Sequence, residues 1–193
     1  MSRLIALASL LLLAACVNAP QRGRVQAPEP RIAPADMQMD VSMVQRLHFS
    51  RGSHSVDTPP IDAQLEIDAE AIRFVGFAAE QRVLRFVWDG RSIDEQRGRQ
   101  LPEHVRSNHI LRDIQYVYAP IEALRATLPS EWSVTESSQL REIRFVRDSK
   151  RAAIQIRYAD ANRVRGKVRM MNWVDRYGLE IEVGSSSETG SEQ

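Results

Sequence analysis

The stretch AIRFVGFAAEQRVLRFVW, residues 71–88, contains the pattern that decides the fold. In its second half, large apolar residues recur at every second position, at Leu84, Phe86 and Trp88. Successive side chains of a β-strand point to opposite faces of a sheet, so this period of two predicts a strand with one face against a core. We expect strands near 71–77 and 82–88, joined by a short turn into an antiparallel hairpin.

The same alternation recurs before and after this hairpin. Turn-forming pairs such as Asp89-Gly90 and Tyr177-Gly178 separate the alternating segments. Many short strands with brief connections are typical of an antiparallel sheet. The sequence predicts about ten strands, near residues 41–50, 61–68, 71–77, 82–88, 91–96, 132–137, 140–147, 152–159, 166–174 and 178–183.

The middle of the chain changes to a helical period. After Pro102, apolar residues recur along one helix face, and Pro120 and Pro129 bound a second, shorter helix. The first stripe consists of Ile110, Leu111, Ile114, Val117 and Tyr118. The predicted fold is mainly β, in the α+β class: a curved antiparallel half-barrel of about ten strands with two short helices inserted between its halves. We expect the helices to cover the concave face as a lid, because their apolar stripe needs an apolar partner.

The N-terminus has the pattern of a processing signal. Arg3 precedes an uncharged run of 12 residues, Leu4 to Ala15, which is too short to cross a bilayer core of about 30 Å as a helix. The run ends in Leu-Ala-Ala-Cys, which resembles the bacterial lipobox and implies cleavage before Cys16 and lipidation of that residue. An ordinary cleavage site with a chance cysteine is the alternative. Val17 replaces the aspartate that retains enteric lipoproteins in the inner membrane, which favours the periplasmic face of the outer membrane.

Composition excludes several classes of protein. The single cysteine cannot form an internal disulfide or a site built from several thiolates. The 26 basic and 25 acidic residues give a net charge of +1, and removal of residues 1–15 with Arg3 leaves 25 of each sign. A balanced charge provides no overall attraction to nucleic acid. We therefore expect no nucleic-acid partner, and a monomer attached to the membrane by an N-terminal acyl anchor.

The chain divides into four predicted segments. Residues 1–15 are a lipoprotein signal peptide, and residues 16–36 are a lipidated tether because they are rich in proline and have no apolar period. Residues 37–184 are the folded domain, which is long enough to bury a core. Residues 185–193 are polar and rich in serine, which predicts a disordered tail.

No constellation in the sequence points to catalysis. The histidines do not combine with carboxylates at a metal-ligand spacing; they are His48, His54, His104 and His109. Glu180 and Glu182 fit a solvated strand face better than an acid–base pair. We expect no catalytic residue, no metal, no cofactor and no enzymatic activity. Methionines and tryptophans such as Met170 and Trp173 fit either core filling or an adaptable lipid pocket, and the sequence leaves both open.

Three stretches of the chain resemble the LolB outer-membrane lipoprotein receptors. They are residues 71–86, residues 116–129 and the run from 143 to 158 with the closing strands. The closer resemblance is to a LolB-like lipoprotein family of unknown function, domain of unknown function 3261, which is often encoded with aryl polyene biosynthesis genes. This resemblance covers about residues 40–183.

The resemblance implies a LolA/LolB-like half-open barrel with a helical lid over an apolar cavity that holds acyl chains. It also implies a membrane-insertion turn at Phe77, Ala78 and Ala79, where Glu80 stands beside the turn and the Pro-Leu-Gly of the family is absent. The inward positions that would line the cavity are Leu65, Ile67, Phe74, Leu84, Phe86, Trp88, Ile114, Ile154, Ile156 and Met170.

The function that follows is that of an outer-membrane-anchored periplasmic lipoprotein. It would bind an acylated molecule, either a lipoprotein or an aryl polyene lipid, and help to transfer or insert it, with a periplasmic carrier as a possible partner. The first alternative is a non-catalytic assembly or scaffold lipoprotein of an envelope complex, whose cavity is filled by side chains. The second is a periplasmic enzyme that acts on polyene lipids or peptidoglycan.

Overall fold

The computed structural model describes residues 25–51, 59–148 and 150–188. Within these ranges the chain forms ten strands, two α-helices and two short 3-10 segments. The strands are β1 Val41–Arg51, β2 Ile61–Ile67, β3 Ile72–Ala78, β4 Gln81–Trp88, β5 Ile93–Arg97, β6 Trp132–Glu136, β7 Leu140–Phe145, β8 Ile154–Tyr158, β9 Lys167–Asn172 and β10 Tyr177–Glu188. The helices are α1 Ser107–Tyr118 and α2 Ile121–Thr127, and the 3-10 segments are Pro34–Met37 and Val146–Asp148.

All ten strands belong to one open antiparallel sheet. Their order is β5-β4-β3-β2-β1-β10-β9-β8-β7-β6, so β1 and β10 pair in the centre and β5 and β6 are the two edges. Each half is a meander of hairpins, as the regular alternation predicts. The mainly β class, the ten antiparallel strands and the two short helices are therefore confirmed.

The hairpin of β3 and β4 shows how the alternation builds the core. Phe74 lies opposite Phe86 in the register, and their rings stack with centroids 5.3 Å apart. Both side chains are buried on one face of the sheet, while Arg73 and Arg85 lie on the other. The same face continues through β1, β2 and the second half of the sheet as one apolar layer.

Helix α1 begins five residues later than the proline signal suggests. Pro102 lies in a turn, where the Arg97 side chain donates to the carbonyl oxygens of Pro102 at 2.8 Å and Val105 at 2.6 Å. The first α-helical residue is Ser107. The predicted start at Pro102 is wrong because the Pro102 carbonyl oxygen accepts from the Val105 amide at 3.0 Å to close a single turn, and the Arg97 side chain binds the carbonyl groups at both ends of that turn. The stripe further along is correct, and Leu111, Ile114 and Val117 are buried.

The two helices connect opposite edges of the sheet. The chain leaves β5 at one edge and enters β6 at the other, and α1 contacts β5 while α2 contacts β6. Pro120 precedes α2 and Pro129 follows it closely, as predicted. No helix in the described part of the chain combines the length and apolarity needed to span a bilayer.

The segment before β1 is part of the folded domain. Ile32 and Met37 are almost completely buried in the core, and Pro28, Pro30 and Pro34 are buried as well. The prediction of a free tether as far as residue 36 is therefore wrong for residues 27–36. Prolines have no amide hydrogen to satisfy, and the carbonyl groups of this segment accept hydrogen bonds from the domain, so extended backbone can be buried there.

The predicted tail also begins too early. Strand β10 continues to Glu188, and Ser185, Ser186 and Ser187 pair with β1. The register shifts between Val44 and Gln45, which accommodates Gly184 as a bulge. Polar side chains are compatible with a strand whose backbone is paired, and this explains why composition alone misplaced the boundary at 185. Residues 189–193 lie outside the described part.

Candidate functional site

The ten residues predicted to line a cavity all belong to one apolar layer. Nine of them are at most 4% exposed and Ile114 is 7% exposed, and all ten belong to the main hydrophobic core. The structure therefore brings them together on the helix-covered face, in contact with other core side chains. Met170 is a core residue, whereas Trp173 is half exposed on the surface. Core packing therefore accounts for Met170 in this conformation and does not account for Trp173.

Two cavities in the described part of the chain lie away from the centre of this layer. One, of about 180 Å³, is lined by outer-face residues such as Glu66, Arg73 and Arg85 together with atoms of Phe74 and Phe86. The other, of about 570 Å³, lies between residues 25–29 and the start of the β6–β7 pair. In this conformation the lid helices rest directly on the apolar layer.

Arg141 attaches the end of α1 to the sheet. It points inward from β7, has no exposed surface, and donates to the carbonyl oxygens of Tyr116 at 2.6 Å and Ala119 at 2.7 Å. These carbonyl groups belong to the helix terminus, where partners within the helix are missing and a positive charge is favoured. Arg141 thus acts as a buried cap for α1.

Glu136 balances the buried charge of Arg141. Its carboxylate binds Arg141 and Arg163, and the Arg163 guanidinium lies 4.8 Å from the centre of the Tyr158 ring. Burial alone would raise the pKa of Glu136, but the two arginines outweigh this effect and lower it. Burial lowers the pKa of Arg141 itself. The pair is therefore ionised at neutral pH and holds the guanidinium in position.

Two more polar contacts hold the same end of α1. The Tyr158 hydroxyl donates to the carbonyl oxygen of Val117 at 2.8 Å, and the Gln45 amide donates to the Tyr118 hydroxyl at 2.7 Å. Burial raises the pKa of both tyrosines, so both hydroxyls are neutral. Strands from both halves of the sheet thereby position the last turn of α1.

A second polar cluster holds the middle of α1. The buried Arg112 pairs with Asp113 at 3.1 Å and with Asp175 at 2.8 Å, and it donates to the Tyr177 hydroxyl at 3.0 Å. Tyr177 in turn donates to the other oxygen of Asp113. Burial raises the pKa of Asp113 and of Tyr177. Burial alone would lower the pKa of Arg112, but Asp113 and its neighbours outweigh this effect and raise it.

The N-terminal segment crosses both the lid and the sheet. The carbonyl oxygen of Ile32 accepts from the Trp88 indole at 3.0 Å and from the Gln115 amide at 2.9 Å. The Tyr116 hydroxyl donates to the carbonyl oxygen of Pro28. Trp88 belongs to β4 and Gln115 to α1, so one backbone carbonyl joins the lid to the sheet.

The predicted insertion turn is a tight two-residue hairpin loop. Phe77 and Ala78 end β3 and are half-buried, while Ala79 and Glu80 are exposed and form the loop. Ala79 and Glu80 have φ angles of 48° and 62°, in the left-handed region that residues other than glycine rarely occupy. Gly76 lies within β3, so the turn itself contains no glycine.

The remaining predicted residues divide between described and undescribed parts. The described residues contain no group of three histidine, cysteine or acidic side chains that could hold a metal. Glu180 and Glu182 both pair with Lys167, at 2.8 and 2.6 Å, which fits a solvated face. Cys16, the signal peptide, residues 16–24 of the tether and His54 lie outside the described residues.

Sequence reasoning missed the polar groups that position the lid. Arg141 shares the period-two face of Ile143, so a charge on an apolar face was visible in the sequence. Asp113 and Gln115 are polar residues of α1 that lie outside its apolar stripe and are nevertheless buried. The partners that attach α1 to the rest of the domain are distant in the chain, as in Asp113 with Tyr177 and Gln115 with Ile32, and only the fold brings them together.

Comparison with known proteins gives one family and no characterised relative. The profile of a family described as "Protein of unknown function (DUF3261)" matches residues 42–185. No curated protein matches the chain. The matched region runs from the second residue of β1 to the last third of β10, and it includes the complete lid. The chain therefore belongs to the DUF3261 family of proteins of unknown function.

Proposed function

We propose that this protein is a lipid-anchored envelope protein that binds an acylated molecule between its sheet and its lid and helps to transfer or insert it. The observation that carries the proposal is the continuous apolar layer across an open sheet, covered by two short helices. Displacement of the helices would expose an apolar surface suited to acyl chains. The cargo would be a lipoprotein or an aryl polyene lipid.

Polar contacts set the position of the lid. Buried polar pairs contribute little net stability compared with apolar packing, but they define one arrangement. Here Arg141 and Tyr158 hold the end of α1, and Arg112 holds its middle. An acyl chain that replaced the apolar contacts of the helices would compensate for much of the cost of opening.

The span of α1 supports a LolA/LolB-like half-barrel as the finer description of the sheet. Its 12 residues correspond to about 18 Å of helix. Yet α1 contacts β5 at one edge and reaches Arg141 on β7. In a flat sheet these strands would be about 38 Å apart. A sheet curved around the helix would bring both within reach of α1.

The start of the described chain supports a short distance between the domain and its anchor. Residues 27–36 pack on the domain, so the spacer between Cys16 and the folded part is about ten residues long and reaches at most about 35 Å. The proposed anchor at Cys16 would hold the domain at the periplasmic face of the outer membrane. The turn at Phe77 would face that membrane.

Photo-crosslinking tests the acyl-binding site. The purified full chain is incubated with a fatty acid that carries a photoreactive group near its end, and crosslinked residues are mapped by mass spectrometry. We expect labels on core residues such as Leu65, Phe86 and Ile156. Labels confined to the apolar run at 4–15, or no labels, would contradict the proposal.

A matched pair of variants tests the role of the lid. Tyr158→Phe removes the hydroxyl that binds Val117 and keeps the ring, so we expect increased labelling of the apolar layer. Arg46→Gln, which removes an exposed pair with Asp62 on the outer face, is the control and should label as the natural chain does. Equal labelling of both variants would mean that lid opening does not limit binding.

The insertion turn needs a separate test. Phe77 is half-buried and is not part of the main core, so Phe77→Glu should fold normally. If the turn enters the membrane, this variant should bind acyl probes as before but fail to transfer them to acceptor vesicles. Normal transfer would remove the turn from the mechanism.

The scaffold alternative is favoured by one observation: the apolar layer is filled by its own side chains in the described conformation. A scaffold lipoprotein of an envelope complex would keep this core closed. It would co-purify in a fixed ratio with a membrane enzyme or transporter, and the photoreactive fatty acid would leave its core unlabelled.

A further inference from the structure

Two large apolar side chains are exposed at one end of the sheet. Trp173, in the connection from β9 to β10, is 50% exposed, and Val146, in the connection from β7 to β8, is 51% exposed. Only two other large apolar side chains in the described ranges, Val25 and Val44, are comparably exposed. Trp173 is not among the residues of the main hydrophobic core or those packed against it, and exposed apolar groups that lie together mark contact surfaces.

The two connections lie side by side. The backbone amide of Trp173 donates to the carbonyl oxygen of Ala153 at 3.0 Å, which joins the second connection to the first. Strands β7, β8 and β9 are neighbours, so the two turns are about 10 Å apart, or two strand spacings. We call residues 146–148, 150–153 and 173–176 the turn surface.

The turn surface is rich in exposed cations. Its four cationic residues, all exposed, are Arg147, Lys150, Arg151 and Arg176. Its carboxylates are Asp148 and Asp175, and Asp175 is already bound by Arg112 and Asn172. Among the residues that the structure describes, no ion pair joins any of the four cations to a carboxylate.

The strands differ from the turn surface in how many of their arginines are paired. Most arginines on the strands form an ion pair with a carboxylate, as in Arg46 with Asp62 and Arg169 with Glu180. The overall charge of the chain is nearly balanced, so the excess at the turn surface is local. A local cluster of cations next to exposed apolar groups fits a surface that is both anionic and apolar at its boundary.

The turn surface lies at the end of the sheet from which the chain continues toward its N-terminus. The cavity between residues 25–29 and the β6–β7 pair is lined by Val25, Phe145 and Arg147, so the described chain begins beside this surface. The β3–β4 turn is at the same end of the sheet. The last residue of β1 pairs with Tyr177 at the start of β10, and the antiparallel neighbour β2 begins at this end. Asp62 near the start of β2 pairs with Phe77 near the end of β3, which places the β3–β4 turn there as well.

We propose that the turn surface docks on an anionic phospholipid bilayer, with Trp173 at the boundary between headgroups and acyl chains and the four cations on the lipid phosphates. Tryptophan favours this boundary because its ring is apolar and its indole N–H is polar. Lysine and arginine are attracted to anionic lipid surfaces. The exposed valine adds apolar area that a nucleic acid would not use. This docking depends neither on an acyl cargo nor on lid opening.

Quenching of tryptophan fluorescence tests the docking directly. The full chain is reconstituted into vesicles whose lipids carry bromine atoms on the acyl chains, with or without phosphatidylglycerol in a phosphatidylcholine background. Trp173→Phe measures the contribution of Trp88 and Trp132, and the difference is the signal of Trp173. We expect this signal to be quenched in the anionic vesicles and not in phosphatidylcholine alone, and to recover when salt is added.

Two charge-reversal variants provide a matched comparison. Arg151→Glu/Arg176→Glu changes the turn surface, and Arg91→Glu/Arg165→Glu makes the same charge change in exposed turns at the opposite end of the sheet. We expect the first to lose the quenching of Trp173 and the second to keep it. Quenching that is equal in both lipid mixtures would reflect the N-terminal segment alone. Three results would overturn the proposal: equal quenching in both lipid mixtures, equal loss of quenching in both variants, and absence of quenching.

Discussion

At the scale of single residues, the most informative position is Arg141. A fully buried arginine is uncommon, and here its guanidinium is satisfied by two helix carbonyl groups and by Glu136. The charge is favourable because it faces the negative end of a helix and a carboxylate at once. One side chain on β7 thereby fixes where α1 ends above the sheet.

Replacement of this side chain should be costly. Arg141→Met leaves the carbonyl groups of Tyr116 and Ala119 buried without their partner, and we expect a loss of about 3–5 kcal/mol in the free energy of unfolding, measured in urea. Arg125→Met, which removes an exposed pair with Glu122, should cost about 0.5 kcal/mol or less. Similar costs for the two variants would contradict the role given to Arg141.

Asp113 gives a prediction about pH. Burial raises its pKa in the folded state, so its contribution to stability is largest below its unfolded pKa and is lost as the pH rises through the folded pKa. Asp113→Asn keeps an acceptor for Tyr177 and does not titrate. Measured by urea unfolding, the stability of the natural chain relative to this variant should fall as the pH increases from 4 toward neutrality. A rising or constant difference would show that Arg112 controls the site and that burial does not.

At the scale of elements, the N-terminal segment limits how the lid helix α1 can move. It binds β4 through Trp88 and α1 through Gln115 and Tyr116, so the segment that leads toward the proposed membrane anchor is attached to both layers. Movement of α1 away from the sheet must therefore break the contacts of Ile32 or carry the segment with it. This segment, residues 27–36, is therefore not a free spacer. It lies across the lid and is attached to it, and we call it the strap.

A pair of alanine substitutions tests whether the strap is packed on the domain. Ile32 is 1% exposed and Val25 is 43% exposed. We expect Ile32→Ala to lower the free energy of unfolding by about 2–4 kcal/mol, and Val25→Ala to change it by less than about 0.5 kcal/mol. Both values follow from urea or thermal unfolding of the full chain. Equal and small effects would restore the free tether that the sequence predicts.

At the scale of the whole molecule, the sheet has to protect two edges. Strand β6 is covered by α2, whereas β5 consists mainly of exposed polar residues. Exposed edges with charged side chains resist pairing with a second molecule. The two halves of the sheet therefore protect their edges by different means. The monomer stays a prediction.

The polarity of β5 can be removed on one face. Asp94→Val/Gln96→Val changes two polar residues on the face of β5 away from the core, and we expect faster aggregation, measured by light scattering at a fixed concentration. Gln64→Val/Glu66→Val makes the same change on β2, which is paired on both sides, and should aggregate less. Greater aggregation of the β2 variant would mean that apolar area, and not the edge, controls association.

Much of the fold was predictable because strands have a strict local signal. The alternation at Leu84, Phe86 and Trp88 marks an inward face, and that face is buried as expected. The predicted helix start at Pro102 is wrong because Pro102 begins a single turn that Arg97, the last residue of β5, binds through its side chain. The predicted start of the tail at residue 185 is wrong because pairing with β1 uses backbone hydrogen bonds and does not need apolar side chains.

The sequence by itself determined the number and position of the strands, the apolar face of the sheet, the two helices between its halves and the family. These properties follow from the period of side chains along a local stretch of backbone. Only the tertiary structure decided that the N-terminal segment straps the lid, that Arg141 and Arg112 anchor α1, and that Trp173 stands exposed among unpaired cations. These properties depend on partners many residues apart in the chain, and on which groups are left without a partner once the core has formed.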